Sequence, residues 1–278
     1  MYWRVSVLNN GTESESSQFQ RLDGGEVAEE LQKQAKRLIG KFVADDGSRV
    51  DYAGMKDSEE FVDFVFLTSA LKKVDPGAFS HTQKLAFFLN VYNILTLHSI
   101  ALDGPSSNTA SRIALNVNAK YEIGGLLYSL HDIENGVLRE NRPSPFDVIK
   151  SKPFKDGDKR LSSVLIPMDP RIHFALNCGA ISCPPIRFFT AKSVEDMLEM
   201  VTTAYLLSND NVVAQQDCVQ LSQIFSWYSS DFPSETLDWV ICNLPEDSSK
   251  RSSLQEARKR SLPVRWLAYD WGTNVKHS

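Results

Sequence analysis

From Val27 the apolar positions fall at Leu31, Ala35, Leu38, Ile39 and Phe42. That spacing lines one face of a helix, and Asp45-Asp46-Gly47 ends it. A second helical pattern lies near Ser58–Leu71, and a strongly apolar one runs over His81–Leu102, read as a buried helix. Tyr121-Glu122-Ile123 and Leu126–Leu130 flank Gly124-Gly125, the signature of a hairpin with a tight primed turn. Ser129 and Asp132 form a capping-box pattern that opens a helix through Arg139. Ile172–Asn177 reads as a short buried strand. Ser193 caps a helix with Val194, Leu198, Val201 and Tyr205 on one face. Val212–Ala214 and Cys218–Leu221 predict a second hairpin, followed by a helix over Thr236–Leu244 and a final segment, Val264–Trp271.

This order predicts an α+β protein. The first half is rich in helix; the second carries short β-hairpins and a small antiparallel or mixed sheet. Strict βαβ alternation is missing, so a doubly wound sheet is not expected. Residues 1–25, rich in Ser, Asn, Gly and Glu, are read as a flexible extension, and residues 26–278 as one domain. The polar, basic stretch Glu246–Arg260 is expected to be a surface loop or exposed helix, because the aromatic residues beyond it need a core.

Composition narrows the function. The 278 residues are 42% hydrophobic and 23% charged, with a formal charge of −5. Such a balance disfavours a nucleic-acid binder, which would carry a clustered basic excess. The apolar runs are broken by Asn, Tyr, Thr or Ser short of the ~20 residues that span a bilayer, so no membrane span is expected. Four cysteines are too few for a disulfide framework, and a reducing, cytoplasmic compartment follows. The Walker, dinucleotide, His-Glu-x-x-His and Gly-x-Ser-x-Gly patterns are missing, so no cofactor is expected.

Reactive residue types concentrate in Asp169–Pro185, which places His173, Cys178 and Cys183 within eleven residues. A thiol beside an imidazole loses its proton near neutral pH and attacks carbonyls. Strand alternation sets His173 and Cys178 on opposite faces unless the chain turns at Gly179, so either Cys178 or Cys183 could be the nucleophile. Glu134 is the candidate carboxylate to orient the imidazole. Backbone N–H groups near Gly179 or Cys183 would supply an oxyanion hole. Asn90 and Asn93 share a helix face; buried amides need partners, so they hold a neighbouring segment or line a pocket. Asn177, Gly179 and Arg187 join them as binding or scaffolding candidates. The bland alternative is a buried core motif, since free Cys is among the most buried residue types. A zinc site has only three ligands here, at unfamiliar spacing, and no metal is expected.

Ala86–Asn93, Ile123–Gly125, Ser129–Arg139 and Asp169–Pro185, in that order, resemble the DUF547 domain family. Ile224–Phe232 and Tyr269–Asn274 are similar to its C-terminal motifs, so the resemblance spans roughly 26–275. The family's name records a domain without an assigned function. Relatives join it to glutaredoxin-like or DEP domains, or in plants to a leucine zipper, which implies signalling, redox or adaptor roles. This chain departs in two respects: it has no Cys-x-x-Cys, and Asn135 stands where relatives commonly carry His. Three readings result. The first is a papain-like cysteine hydrolase or acyl-transferase acting on an amide or thioester. The second is a non-catalytic module for a protein or peptide partner, and the third a thiol redox switch.

Overall fold

The computed structural model describes residues 6–10, 24–105 and 109–276. Helix α1 (Gly24–Phe42) buries Val27, Leu31, Ala35, Leu38 and Phe42, the face its spacing predicts. Two shorter helices follow, α2 (Tyr52–Lys56) and α3 (Glu59–Thr68). Each is capped by a side chain, Asp51 to the Gly54 N–H and Ser58 to the Phe61 N–H. Helix α4 (His81–Asp103) opens on a Ser80–Gln83 capping box and buries every residue from Leu85 to Ala101. Among the described residues it is the one helix long and apolar enough to cross a membrane by length and composition, and it spans almost the stretch expected of it. Its surface is covered by protein on all sides, so an all-round apolar helix here is the core element of the fold.

Helix α5 (Thr109–Asn118) leads into a three-stranded sheet. Strand β1 (Ser6–Val7) pairs in parallel with β2 (Ala119–Ile123), and β2 pairs antiparallel with β3 (Leu126–Ser129). The short stretch Ser6–Val7 is therefore docked, although it belongs to the segment read as an extension. Gly124 and Gly125 both take positive φ (56° and 77°), as a primed hairpin turn requires.

The capping box at Ser129 forms as expected: its hydroxyl accepts the Asp132 N–H and its own N–H donates to the Asp132 carboxylate. The helix it opens is wider than anticipated. Asp132–Leu138 is a π-helical turn in which the Arg139 N–H reaches the Glu134 carbonyl, five residues back. Gly136 lies against the Phe154 ring, and a Cβ there would collide with it.

One expected strand is absent. Ile172–Asn177 does not pair; Pro170–Phe174 forms a 3-10 helix. The Asp169 carboxylate caps the Arg171 N–H and Pro170 occupies the first helical position, and these start signals override the apolar run that suggested a strand. Alternation therefore does not govern where His173 points.

Helix α6 (Val194–Leu207) buries the face expected of it. Strands β4 (Val212–Ala214) and β5 (Val219–Leu221) form the second hairpin, and β6 (Val264–Trp266) adds in parallel to β5. Between them lie α7 (Gln223–Trp227), α8 (Thr236–Cys242) and α9 (Ser249–Lys259). The basic stretch thus resolves as an exposed helix. Lys250 donates to the carbonyls of Leu207, Ser208 and Val212, and Arg258 pairs with Asp238 and Glu235, so these cations serve the protein's own packing. The fold is α+β, with helices dominating the first half and small sheets added around a contiguous apolar core.

Candidate functional site

A cleft of about 410 Å³ collects Cys178, Cys183, His173 and Glu134 in one wall system, 49 residues of chain apart at the extremes. Tyr92 of α4, Arg112 of α5, Trp227 and Tyr228 at the end of α7, and Tyr269 and Trp271 complete it, with Phe146 at the rim.

The thiol side is a turn. Gly179 adopts φ 80°, and the Cys183 N–H closes onto the Ala180 carbonyl at 3.1 Å. A Cβ at Gly179 would strike Ile100, so only glycine fits. The turn brings Cys183 Sγ to 3.0 Å from Cys178 Sγ and 3.2 Å from the Cys178 N–H, with the Tyr269 hydroxyl at 3.3 Å. Both thiols are free and half-buried. Burial pushes the Cys183 thiol up, but hydrogen bonds from the Cys178 thiol and the Tyr269 hydroxyl, with backbone contacts at Ala180 and Cys178, outweigh it and bring it down to about 6. The Cys178 thiol moves the opposite way, because it donates to its neighbour and is buried. Burial and the Cys183 charge keep Tyr269 protonated. The three groups agree on one arrangement: a Cys183 thiolate accepting from Cys178 S–H, Cys178 N–H and Tyr269 O–H.

The imidazole side is an ionic cluster. His173 Nε2 lies 3.0 Å from Asp231 Oδ2. Arg139 grips the same carboxylate through Nε at 2.5 Å and Nη2 at 3.0 Å, and Arg142 adds a contact at 3.2 Å. The side chains of His173, Arg139 and Asp231 are each no more than 2% exposed. Burial alone would raise the Asp231 carboxyl, yet the His173 and Arg139 bonds hold it well below the usual carboxylate range. Burial lowers the His173 pKa more than Asp231 raises it, so the ring is neutral at pH 7. A neutral ring beside an ionised carboxylate donates through Nε2–H and carries its lone pair on Nδ1. The ring also stacks on Tyr228 at 4.0 Å between centroids.

Asp231, not Glu134, therefore orients the imidazole. Glu134 accepts instead from the hydroxyls of Tyr228 (2.5 Å) and Tyr92 (3.1 Å). Both phenols are held protonated by burial and by the Glu134 charge. Asn135, the departure from the resembled motif, accepts from Arg139 at 2.6 Å and lines the cleft.

The remaining candidates lie outside the wall of this cleft and bond neighbouring backbone, and Asn90 also lines a separate cavity beside α1. Asn90 makes two bonds to the Phe189 backbone, at 2.8 and 2.9 Å. Asn93 donates to the Ala175 and Arg187 carbonyls and accepts the Asn177 N–H. Asn177 in turn donates to Pro184 and accepts the Gly179 N–H. Arg187 reaches the Ile186 and Asp46 carbonyls. The anticipated oxyanion donors are engaged as well, since the Gly179 N–H serves Asn177 and the Cys183 N–H serves Ala180. Asp231, Tyr228 and Tyr269 were absent from the sequence candidates, although they belong to the two C-terminal motifs singled out there.

Residues 76–206 match the family model described as "Protein of unknown function, DUF547". No curated protein and no solved structure matches the chain. The matched stretch holds His173, Cys178, Cys183 and Glu134, whereas Tyr228, Asp231 and Tyr269 fall beyond it. Over residues 76–206 the chain carries a DUF547 domain.

Proposed function

We propose that this DUF547 protein is a thiol-dependent enzyme, a cysteine hydrolase or acyl-transferase in which Cys183 is the nucleophile. The observation that carries this reading is the convergence of the Cys178 N–H, the Cys178 thiol and the Tyr269 hydroxyl on Cys183 Sγ in the cleft wall. A thiolate so held is ionised at neutral pH and attacks an acyl carbon, with the leaving group departing to give a thioester on Cys183. His173 Nδ1, fixed by the Nε2–Asp231 bond, is the base that draws a proton from the incoming water or acceptor in the second step. Such a thiol fits a reducing, cytoplasmic compartment.

The test is iodoacetamide labelling of the native protein across pH, with peptide mass spectrometry following each cysteine. Cys183 is expected to label at pH 6 while buried Cys218 does not, and an activated aryl ester is expected to give a burst of acylation that Cys183→Ser abolishes. Labelling only upon unfolding would refute the nucleophile.

One observation favours a second reading, a non-catalytic binding cleft: the N–H groups of Gly179 and Cys183 are already bonded, so the turn offers no ready oxyanion hole. Rapid labelling of Cys183 without any ester burst would move the assignment there.

A further inference from the structure

The turn that carries the two cysteines is clamped from outside. The Ile181 N–H donates to the Gly272 carbonyl at 2.8 Å and the Asn274 N–H to the Gly179 carbonyl at 3.0 Å. Ser182 Oγ accepts the Asp270 N–H at 2.9 Å. Backbone geometry thus sets the sulfurs at 3.0 Å, about 1 Å beyond the ~2.05 Å of a disulfide bond. The two thiols are also unlike. Cys183 is the acceptor and Cys178 the donor between them, which is the division of labour of an attacking and a resolving thiol.

The cleft around them sets one arginine, Arg112, beside the thiols, with the carboxylates of Glu134 and Asp147 elsewhere in its wall. Arg112 gives Nη1 to the Cys178 carbonyl and Nη2 to the Trp271 carbonyl, and its guanidinium lies 5.9 Å from the Trp271 ring. Nη2 also reaches the Thr273 hydroxyl at 3.5 Å, and no carboxylate pairs with the guanidinium among the described residues, so its charge stands in the cleft wall beside the thiols without an ion-pair partner. At about 410 Å³, with Phe146 and Trp271 at the rim, the space suits a small molecule.

We propose that Cys178 and Cys183 form a dithiol that reduces low-molecular-weight, carboxylate-bearing disulfides entering this cleft. The Cys183 thiolate attacks one sulfur of the substrate disulfide. A Cys183 mixed disulfide forms, the substrate S–S bond breaks, and one substrate thiolate leaves. That thiolate takes the Cys178 proton. Cys178 Sγ then attacks Cys183 Sγ, closing the Cys178–Cys183 disulfide and releasing the second substrate thiolate. The two cysteines lose two electrons, the substrate gains them, and an external thiol resets the pair. The step rests on the Cys183 thiolate of the preceding reading but requires no acyl chemistry.

The experiment uses the reduced full chain and glutathione disulfide at neutral pH, with acid quenching, thiol labelling and peptide mapping. The expected result is a Cys178–Cys183 cross-linked peptide, loss of both labelable thiols, and two glutathione thiols released per cross-link. Cys178→Ser is expected to stop at a stable glutathione adduct on Cys183, and Cys183→Ser to leave Cys178 unreacted. A wild-type protein that accumulates the adduct on Cys183 without ever joining Cys178 overturns the proposal. Cys183 that alkylates rapidly at pH 6 yet forms neither adduct nor cross-link also overturns it and leaves the nucleophile reading standing. Cys183 inert to both reagents removes both.

Discussion

The two walls of the cleft hold their reactive groups by opposite means. On the imidazole side, full charges are removed from water: Arg139, Asp231 and His173 are each almost completely buried and satisfy one another. On the thiol side a single negative charge is created at a half-buried sulfur and held by neutral donors, two side chains and a backbone N–H. Burying an ion pair ties it to the stability of the fold, because either partner left alone is costly. Neutral donors around a partly solvated thiolate tune its chemistry, and removing one strands no buried charge. Stability and reactivity should therefore respond separately to mutation of the two walls.

The largest expected effect breaks the ionic side. Asp231→Asn keeps the shape but removes the charge that faces Arg139, Arg142 and His173. Leaving Arg139 buried without a counter-ion costs about 3–5 kcal/mol. Urea unfolding of the variant should show a midpoint shift of that size; a shift under about 1 kcal/mol would mean that water already shares the cluster.

Acid should next expose the buried imidazoles. His98 is bonded through Nδ1 to the Tyr121 hydroxyl at 2.8 Å, while Nε2 is buried without a partner. Burial lowers its pKa from 6.5 to about 4. His173 is displaced in the same direction. Unfolded histidine therefore takes up its proton first, so stability is complete above about pH 6.5 and falls as pH drops from there toward 4. His98 alone accounts for about 3 kcal/mol across that window. Asp231, whose carboxyl is depressed, adds its loss only below about pH 4, as pH falls through its folded value. Stability measured from pH 7 to 4.5 should slope downward, and His98→Gln should flatten it by one proton. A wild-type profile level over that range contradicts the assignment.

How far this was readable beforehand depends on the range of each interaction. The α1 face, the Gly124-Gly125 turn and the Ser129–Asp132 box are fixed by neighbours within a few residues, and the sequence patterns predict them. The apolar run around His173 misled because its start signals, Asp169 and Pro170, lie just outside it. The four reactive candidates share the cleft, yet their partners come from far along the chain. Asp231 is 58 residues from His173, and Tyr269 is 86 from Cys183. No periodicity carries such pairings. Glu134 was the nearest acid in a recognisable motif, but the π-helical turn aims it at Tyr92 and Tyr228.

Tyr269→Phe tests the thiol side by removing one neutral donor. A hydrogen bond to a charged acceptor contributes about 1.5–3 kcal/mol, which corresponds to roughly one to two pH units. The labelling midpoint of Cys183 should rise from about 6 by that amount, with the unfolding midpoint nearly unchanged. An unshifted midpoint would assign the depression to Cys178 and the backbone alone.

The smallest effect sharpens the contrast most. Cys183→Ser replaces a half-buried sulfur with a hydroxyl that can still accept from the Cys178 N–H and Tyr269. It opens no large cavity and strands no charge, so its stability cost should stay within about 1 kcal/mol. Its reactivity at pH 6 should vanish entirely. Set beside Asp231→Asn, that result would establish that the thiolate contributes chemistry with little stability, while the ionic cluster that fixes the His173 base carries stability as well. A loss for Cys183→Ser as large as that for Asp231→Asn would instead make the Cys178–Cys183 turn a structural keystone, and the two walls would then be held by one logic.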